Sequence, residues 1–182
     1  MTDSKGRLYI VATPIGNLED ITLRAVRILK NVDLIIAEDT RTTAKLLAKY
    51  KISKKSKSYY SPREYEKAAR YLEMIKKGKN IALLSENGTP AVSDPGYEII
   101  NRARNDDIEV LPVPGPSALT AALSVCGLPT DEVFFAGFIP RKKGERKRYL
   151  QKHIPQGYTF VFYESKYRIC DSVDYIKEIK PD

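Results

Sequence analysis

Tryptophan is absent from this 182-residue chain, histidine occurs once and cysteine twice. A lone histidine, His153, cannot build a zinc site. Cys126 and Cys170 stand too far apart for paired metal ligands. Both cysteines fall in apolar helical contexts and are expected to be buried, reduced thiols of a cytoplasmic protein. The single histidine lies in a basic stretch, so no Ser-His-Asp set is on offer. No apolar run approaches the ~18–20 residues that span a membrane. The N-terminal apolar run breaks at Pro14, without a cleavage site, so no signal peptide is expected. Neither G-x-G-x-x-G nor G-x-x-x-x-G-K-[ST] occurs, which removes the common dinucleotide and phosphate-loop readings.

What the chain does have is positive charge, with a formal net charge of +8. The excess sits in two places. "KISKKSKS" (residues 51–58) carries four lysines and no acid, including Lys54 and Lys55. "RKKGERKRYLQK" (residues 141–152) carries seven basic residues and one glutamate. Arg141, Lys142, Lys143, Arg146, Lys147 and Arg148 head that second cluster. Each alone reads as a solvated loop. Two clusters in one chain point toward phosphate, and so toward nucleic acid.

Apolar runs alternate with amphipathic ones. "RLYIVAT", "DLIIAED", "NIALLSE" and "IEVLPVPG" read as buried strands, with "KSYYS" as a short further strand. Between them, Ile21, Ala25, Ile28, Leu29 and Val32 recur at helical spacing behind Asp20 or Thr22 as cap. "TTAKLLAKY", "PREYEKAARYLEMIKKG" (Pro62 in its first turn) and "GYEIINRARND" also read as helices. "PSALTAALSVCG" is a fifth, with Ser117 as a possible cap. This order predicts a mostly parallel sheet covered by helices. After Pro129 the chain turns aromatic and β-branched. "DEVFFAGFIP" and "GYTFVFYES" read as strands flanking the basic segment. The last helix carries Ile169, Val173, Ile176 and Ile179 on one stripe. The expected organisation is an N-terminal α/β domain over residues 1–116 and the beginning of a second, smaller α/β domain over residues 117–182.

Ligands of such sheets bind beyond the strand carboxyl ends. Three of those ends are rich in Gly and Pro: "TPIGN", "SENGTPAVSDPG" and "PVPGPS"; another ends in acids, "AEDTR". Glycine lets backbone approach a ligand closely, and open N–H groups at helix starts favour anions. With no metal set, triad or phosphate fingerprint, these loops suit chemistry in which a cofactor carries the activation. Glu38 and Asp39 are candidate proton acceptors or orienting groups, or else they cap the following helix or bind Arg41. Arg41 in turn suits either an RNA phosphate or the Asp39 carboxylate.

Six blocks occur in order: "VATPIGNLEDIT", "AEDTR", "SENGTPAVSDPG", "VPGPSALTAALSVCGLP", "FAGFIPRKKGERKR" and "FYESKYR". Together they resemble the bacterial 16S ribosomal RNA cytidine 2′-O-ribose methyltransferases. These belong to the tetrapyrrole methylase superfamily, the class III S-adenosylmethionine-dependent methyltransferases. The resemblance implies two α/β domains, S-adenosyl-L-methionine as cofactor, a homodimer, and 16S rRNA in the 30S subunit as substrate. It also implies cofactor contacts at Pro14, Gly16 and Asn17, at Ser85, Glu86, Gly88, Thr89 and Pro90, and at Pro114, Gly115, Ser117 and Ala118, with Tyr163 on the second domain. Glu38, Asp39 and Arg41 match the acidic block beside the cleft, and the basic loop at residues 141–148 is expected on the RNA backbone. A porphyrinoid methyltransferase and a non-catalytic RNA-binding fragment are the alternative readings. This chain departs from the family's S-D-A-G-T-P with Glu86 and Asn87, and from F-Y-E-S-P-H-R with Lys166 and Tyr167. Family chains run further, so the second domain is expected to be incomplete and cofactor binding weak.

Overall fold

The computed structural model describes residues 5–59 and 64–181. The chain divides into two compact units, Met1–Ala118 and Leu119–Asp182.

In the first unit five parallel strands lie in the order β3-β2-β4-β1-β5: β1 (Arg7–Val11), β2 (Leu34–Ala37), β3 (Ser56–Ser58), β4 (Ile81–Leu84) and β5 (Glu109–Val113). The continuous apolar runs of β2 and β4 follow from burial on both faces. Leu34 and Ile36 of β2, with Ile81 and Leu83 of β4, face one core. Ile35 and Ala37, with Ala82 and Leu84, face the other. Helices α1 (Leu23–Asn31) and α2 (Thr40–Lys49) cover the second face. Helices α3 (Glu64–Lys76) and α4 (Tyr97–Asn105) cover the first.

The stripe expected on α1 is the one that packs: Ile21, Ala25, Leu29 and Val32 are buried, and Ile28 lies against them. Thr22 caps this helix, accepting from the Ala25 N–H at 3.1 Å. On α3, Ala68, Tyr71, Leu72 and Ile75 recur at helical spacing and are all buried. Each such Leu or Ile contributes about 1.5–3 kcal/mol by leaving water. Pro62, expected in the first turn of α3, lies outside the described residues.

Helix α5 (Ala118–Val125) follows β5. The second unit is a parallel strand pair, β6 (Val133–Phe138) and β7 (Thr159–Tyr163), with α6 (Lys143–His153) between them and α7 (Ile169–Ile179) after. Its core is Ile139, Leu150 and Tyr175, backed by Phe160, Phe162, Ile176 and Ile179. The basic segment expected as a loop is therefore mostly helix. Its Leu150 anchors the face that packs on the sheet.

The stripe expected on α7 is also corrected. Ser172 and Tyr175 are the buried positions, while Ile169 and Val173 are exposed. A hydroxyl and a phenol turn inward because Glu164 supplies the Ser172 partner and three basic residues of α6 flank the Tyr175 ring. Cys126 and Cys170, expected inside, are both exposed free thiols.

Candidate active site

Segments leaving β1, β2, β4 and β5 at their carboxyl ends build the site. The β1 and β4 loops are fastened to each other. Thr13 N–H donates to the Gly88 carbonyl at 2.8 Å, and Gly88 N–H donates back to Thr13 at 3.0 Å, an isolated antiparallel bridge within a parallel sheet. The buried Ser85 hydroxyl donates to the same Gly88 carbonyl at 3.0 Å. Thr89 carries the fastening on to the β5 loop, its hydroxyl 3.4 Å from the Pro116 carbonyl.

Two glycines make this closeness possible. Gly88 has φ +82°, left-handed backbone that a side chain strains, and its added Cβ would lie 3.4 Å from Ile15 Cγ2. A Cβ at Gly115 would stand 3.0 Å from that of Ala12. Farther along the β4 loop, Ala91 and Ser93 hold φ of +65° and +63°. Strained non-glycine backbone of this kind gathers in functional loops. Pro14 and Pro90 are buried beside the bridge, whereas Gly16 and Asn17 are exposed. Asn17 spends its side chain on the Glu19 N–H at 3.1 Å. Pro114, Ser117 and Ala118 lie on the β5 exit leading into α5.

The acids after β2 divide their duties. Asp39 caps α2, accepting from the Arg41 N–H at 2.7 Å and the Thr42 N–H at 3.4 Å, while the Arg41 guanidinium reaches it at 3.0 Å. The side-chain bond from Arg41, then the backbone bonds, hold its carboxyl below the ordinary value. Of the alternatives open in the sequence, cap and Arg41 partner are what the contacts show. Glu38 behaves oppositely. Burial first, then the charges of Asp94 and Glu86, push its carboxyl up, against the pull of the Glu86 backbone N–H. Asp94 is raised as well, by burial and by Glu86, with the Ser85 hydroxyl opposing. Asp94 was missed in the sequence, where "SDPG" reads only as a turn before a helix. Nothing local shows that it comes to Glu38.

Two hollows open here. One, of about 180 Å³, lies between the β1 loop, the first half of α2 and the end of β4. The other, about 350 Å³ and more open, is lined by Glu38, Asp39, Thr40, Arg41, Ser58 and Glu86. Glu86 borders both.

The basic residues fall into distinct places. Lys54 and Lys55 precede β3, whose Ser56 pairs with Ile35 near the start of β2, so they lie at the amino end of the sheet, away from the loops above. The Lys54 ammonium is bound to the Val32 carbonyl. Neither lysine extends the strand-end site. On α6, Arg146 is only 2% exposed, its guanidinium 3.2 Å from Asp171 and 3.9 Å from Glu164. It is removed from the RNA-facing set, because burial leaves it no route to a phosphate. Lys142 pairs with Glu145 and Lys147 with Glu178, while Arg141 and Arg148 are exposed. Tyr163 ends β7 in the second unit, its ring edge-on to Phe135 and Phe138 at 5.0 and 5.5 Å. Glu164, next along, accepts from Arg168 Nε at 2.8 Å, Ser165 N–H at 2.7 Å and Ser172 Oγ at 3.0 Å. Burial raises its carboxyl, but these bonds outweigh burial and hold it below the ordinary value.

A parallel α/β sheet with glycine-rich carboxyl-end loops is the architecture of a known family, and this chain belongs to it: residues 7–182 match the Tetrapyrrole (Corrin/Porphyrin) Methylases. The chain is 47% identical over 172 residues to the ribosomal RNA small subunit methyltransferase I of Halalkalibacterium halodurans, covering 94% of this chain and 60% of that one. It is 45% identical over 177 residues to the protein of the same name from Thermotoga maritima, covering 97% and 79%. The chain thus spans about three-fifths of the Halalkalibacterium relative. Its fold is that of diphthine synthase, with TM-score 0.74 at 14% identity over 97% of this chain and 72% of that one. Among the described residues, no helix is long and apolar enough to cross a membrane.

Proposed function

We propose that the chain carries the catalytic loops of an S-adenosylmethionine-dependent methyltransferase that modifies a ribose 2′-hydroxyl of a cytidine in 16S rRNA. Its setting is the 30S subunit in the cytoplasm, with the enzyme as a homodimer. The observation that carries the reading is the double hydrogen bond between Thr13 and Gly88, next to a half-buried Glu38 whose carboxyl is raised. The names of the relatives at 45–47% identity supply the substrate class.

The residues present fit the cofactor. Gly88 and Gly115 let the strand-end loops close on one another where a Cβ would meet Ile15 and Ala12, and the flanking side chains are buried prolines and internally bonded hydroxyls. Pro14, Gly16, Asn17, Ser85, Gly88, Thr89, Pro90, Pro114, Gly115, Ser117 and Ala118 are the residues of the first unit that would hold it. When bound, S-adenosylmethionine supplies a methyl group made electrophilic by a positive sulfur. The protein's part is alignment, worth roughly 7–11 kcal/mol of barrier when reacting atoms are held in line. Glu38 would accept the proton that the ribose 2′-hydroxyl releases as its oxygen takes the methyl carbon, the carbon–sulfur bond breaking with both electrons left on sulfur. Its raised carboxyl makes it a stronger base than an exposed glutamate. Arg41 and the exposed Arg141 and Arg148 contact RNA phosphates.

The test is transfer of labelled methyl from S-adenosylmethionine to 30S subunits from cells lacking the gene, with the modified nucleotide mapped. Label on one ribose oxygen is the expected result. Label on a porphyrinoid, with none on RNA, would establish the tetrapyrrole alternative instead.

A further inference from the structure

Strands β6 and β7 run parallel, so the segments that leave them emerge at one end of the second unit. Phe138 closes β6 opposite Tyr163, the last residue of β7. Residues 139–142 lead from there into α6, and residues 164–168 into α7. Two aromatic side chains stand in solvent on this stretch of chain, Phe138 at 59% exposure and Tyr167 at 86%. Four exposed basic residues share the two segments and the start of α6: Arg141, Lys142, Lys143 and Lys166. Lys142 alone of these has a carboxylate partner, Glu145, among the described residues. The Lys166 ammonium stands over the Tyr167 ring, 5.1 Å from its centre, a cation–π contact that steadies the ring without burying it.

The two segments are braced from inside. The buried guanidinium of Arg146 lies 3.5 Å from the Arg141 carbonyl, 3.9 Å from Glu164 and 3.2 Å from Asp171. Glu164 in turn accepts from the Ser165 N–H at 2.7 Å and from Arg168 Nε at 2.8 Å. One buried side chain therefore ties the backbone ahead of α6 to the turn that holds Lys166 and Tyr167. A buried ion network is a costly way to fill a core. Here it fixes where the exposed ring and the exposed cations stand, and a surface held in place before binding gives up less entropy when it binds.

Charge and rings together select the ligand. Basic side chains draw the phosphates of any nucleic acid. The rings add a second requirement. A base inside a duplex has both faces covered by its neighbours, whereas an unpaired base can leave the stack and lie on an aromatic side chain. We infer that the carboxyl end of β6 and β7 is a platform for an unpaired stretch of the substrate RNA, with Tyr167 stacking on a base and Arg141 and Lys166 holding the flanking phosphates. This rests on the RNA methyltransferase reading above and adds the form of RNA that the second unit takes. It needs no particular base, because every base has a face to stack. Lys166 and Tyr167 are also the two positions at which this segment departs from the family's F-Y-E-S-P-H-R.

The experiment titrates the full-length protein, native and as Y167A, Y167F and K166A, into a short unstructured RNA carrying the fluorescent base 2-aminopurine. The same RNA annealed to its complement is the second ligand, and both are followed over a range of salt. The native protein is expected to bind the single strand more tightly than the duplex and to quench the fluorescent base. Y167A should weaken single-strand binding about 5- to 100-fold, the loss typical of one stacked base. Its salt slope should not change, because a stack releases no counterions. Y167F keeps the ring and should bind and quench as the native protein does. K166A should lower the slope of log affinity against log salt by about 0.7, the value for one phosphate of a single strand. Tyr167 and Lys166 are exposed, so the variants should fold, which thermal melting checks. Native affinity and quenching in Y167A overturn the platform. So does a native protein that holds strand and duplex equally, which leaves a site for phosphate alone. Equal losses in Y167A and Y167F also overturn it, since the hydroxyl rather than the ring would then be the contact. Transfer of labelled methyl to 30S subunits is measured alongside. Its absence in the native protein strikes the functional reading, whereas transfer by a native protein whose RNA binding Y167A leaves unaltered strikes the platform alone.

Discussion

Thr13 and Gly88 exchange two backbone hydrogen bonds, 2.8 and 3.0 Å long, across the carboxyl ends of two neighbouring parallel strands. Parallel strands do not place their exit loops antiparallel unless the chain turns back on itself, and Gly88 makes that turn with φ +82°. The bridge holds the β1 and β4 loops as one surface. Thr89 extends it to the β5 loop through Pro116.

Replacing Gly88 by alanine tests this. The left-handed conformation costs an L residue about 1–2 kcal/mol, and the new Cβ would also crowd Ile15. G88A is expected to lose that much stability in urea unfolding and to bind S-adenosylmethionine more weakly in calorimetric titration. Native affinity in G88A would separate the bridge from cofactor binding.

Glu38→Gln is expected to slow methyl transfer about 10²–10⁴-fold, the usual contribution of a positioned base. Folding should be retained, because Glu38 is only half buried. In the native protein the rate should rise with pH through an acid limb placed above the ordinary glutamate range, since the base works only when ionised and its carboxyl is raised. A flat acid limb, or an E38Q rate within a few fold of native, moves the proton elsewhere.

Arg146 and Arg148 are two residues apart and should respond differently. R146A empties a fully buried site, while Glu164 keeps Arg168, Ser165 and Ser172 as partners. It is expected to cost about 2–5 kcal/mol, as cutting a large buried side chain to alanine does. R141A and R148A should leave the unfolding midpoint unchanged and each lower the slope of log affinity for RNA against log salt by about one. Equal loss of RNA binding and no loss of stability in R146A would return that arginine to the RNA face.

Acid unfolding should carry the signature of Glu164. Its carboxyl is lowered in the folded protein, so its contribution is present above the unfolded glutamate pKa and is lost as pH falls through the lower folded value. Glu38 and Asp94 have the opposite sign. Their carboxyls are raised, so they favour the folded state at low pH, and that advantage is lost as pH rises through their folded values. E164Q should flatten the acid dependence of near-ultraviolet circular dichroism from the aromatic second unit. E38Q should instead reduce the loss of stability on going toward neutral pH. Measured unfolding free energies across that range decide both.

How much was legible in the chain depends on how local the cause was. Short apolar runs such as "LIIA" and "IALL", bounded by turn formers, read as strands buried on both faces, and the periodic stripes of α1 and α3 name their own cores. Gly, Pro and acid clusters at strand ends marked the loops that the structure gathers. The same logic misjudged α7, whose isoleucine and valine stripe is partly exposed while Ser172 and Tyr175 turn inward. A charge run likewise does not say which arginine is solvated. Arg146 is buried because Glu164 and Asp171, distant in sequence, converge on it.

Sequence by itself determined the alternation of strands and helices, the family blocks and the chemistry available at each loop, because propensity, periodicity and turn geometry are properties of neighbouring residues. Tertiary structure alone decided which acids meet. Glu38 came to Asp94 and Glu86, and Lys54 was drawn to the opposite end of the sheet. Those outcomes depend on strand order, β3-β2-β4-β1-β5, and on burial, both set by how distant segments pack rather than by any residue's immediate neighbours.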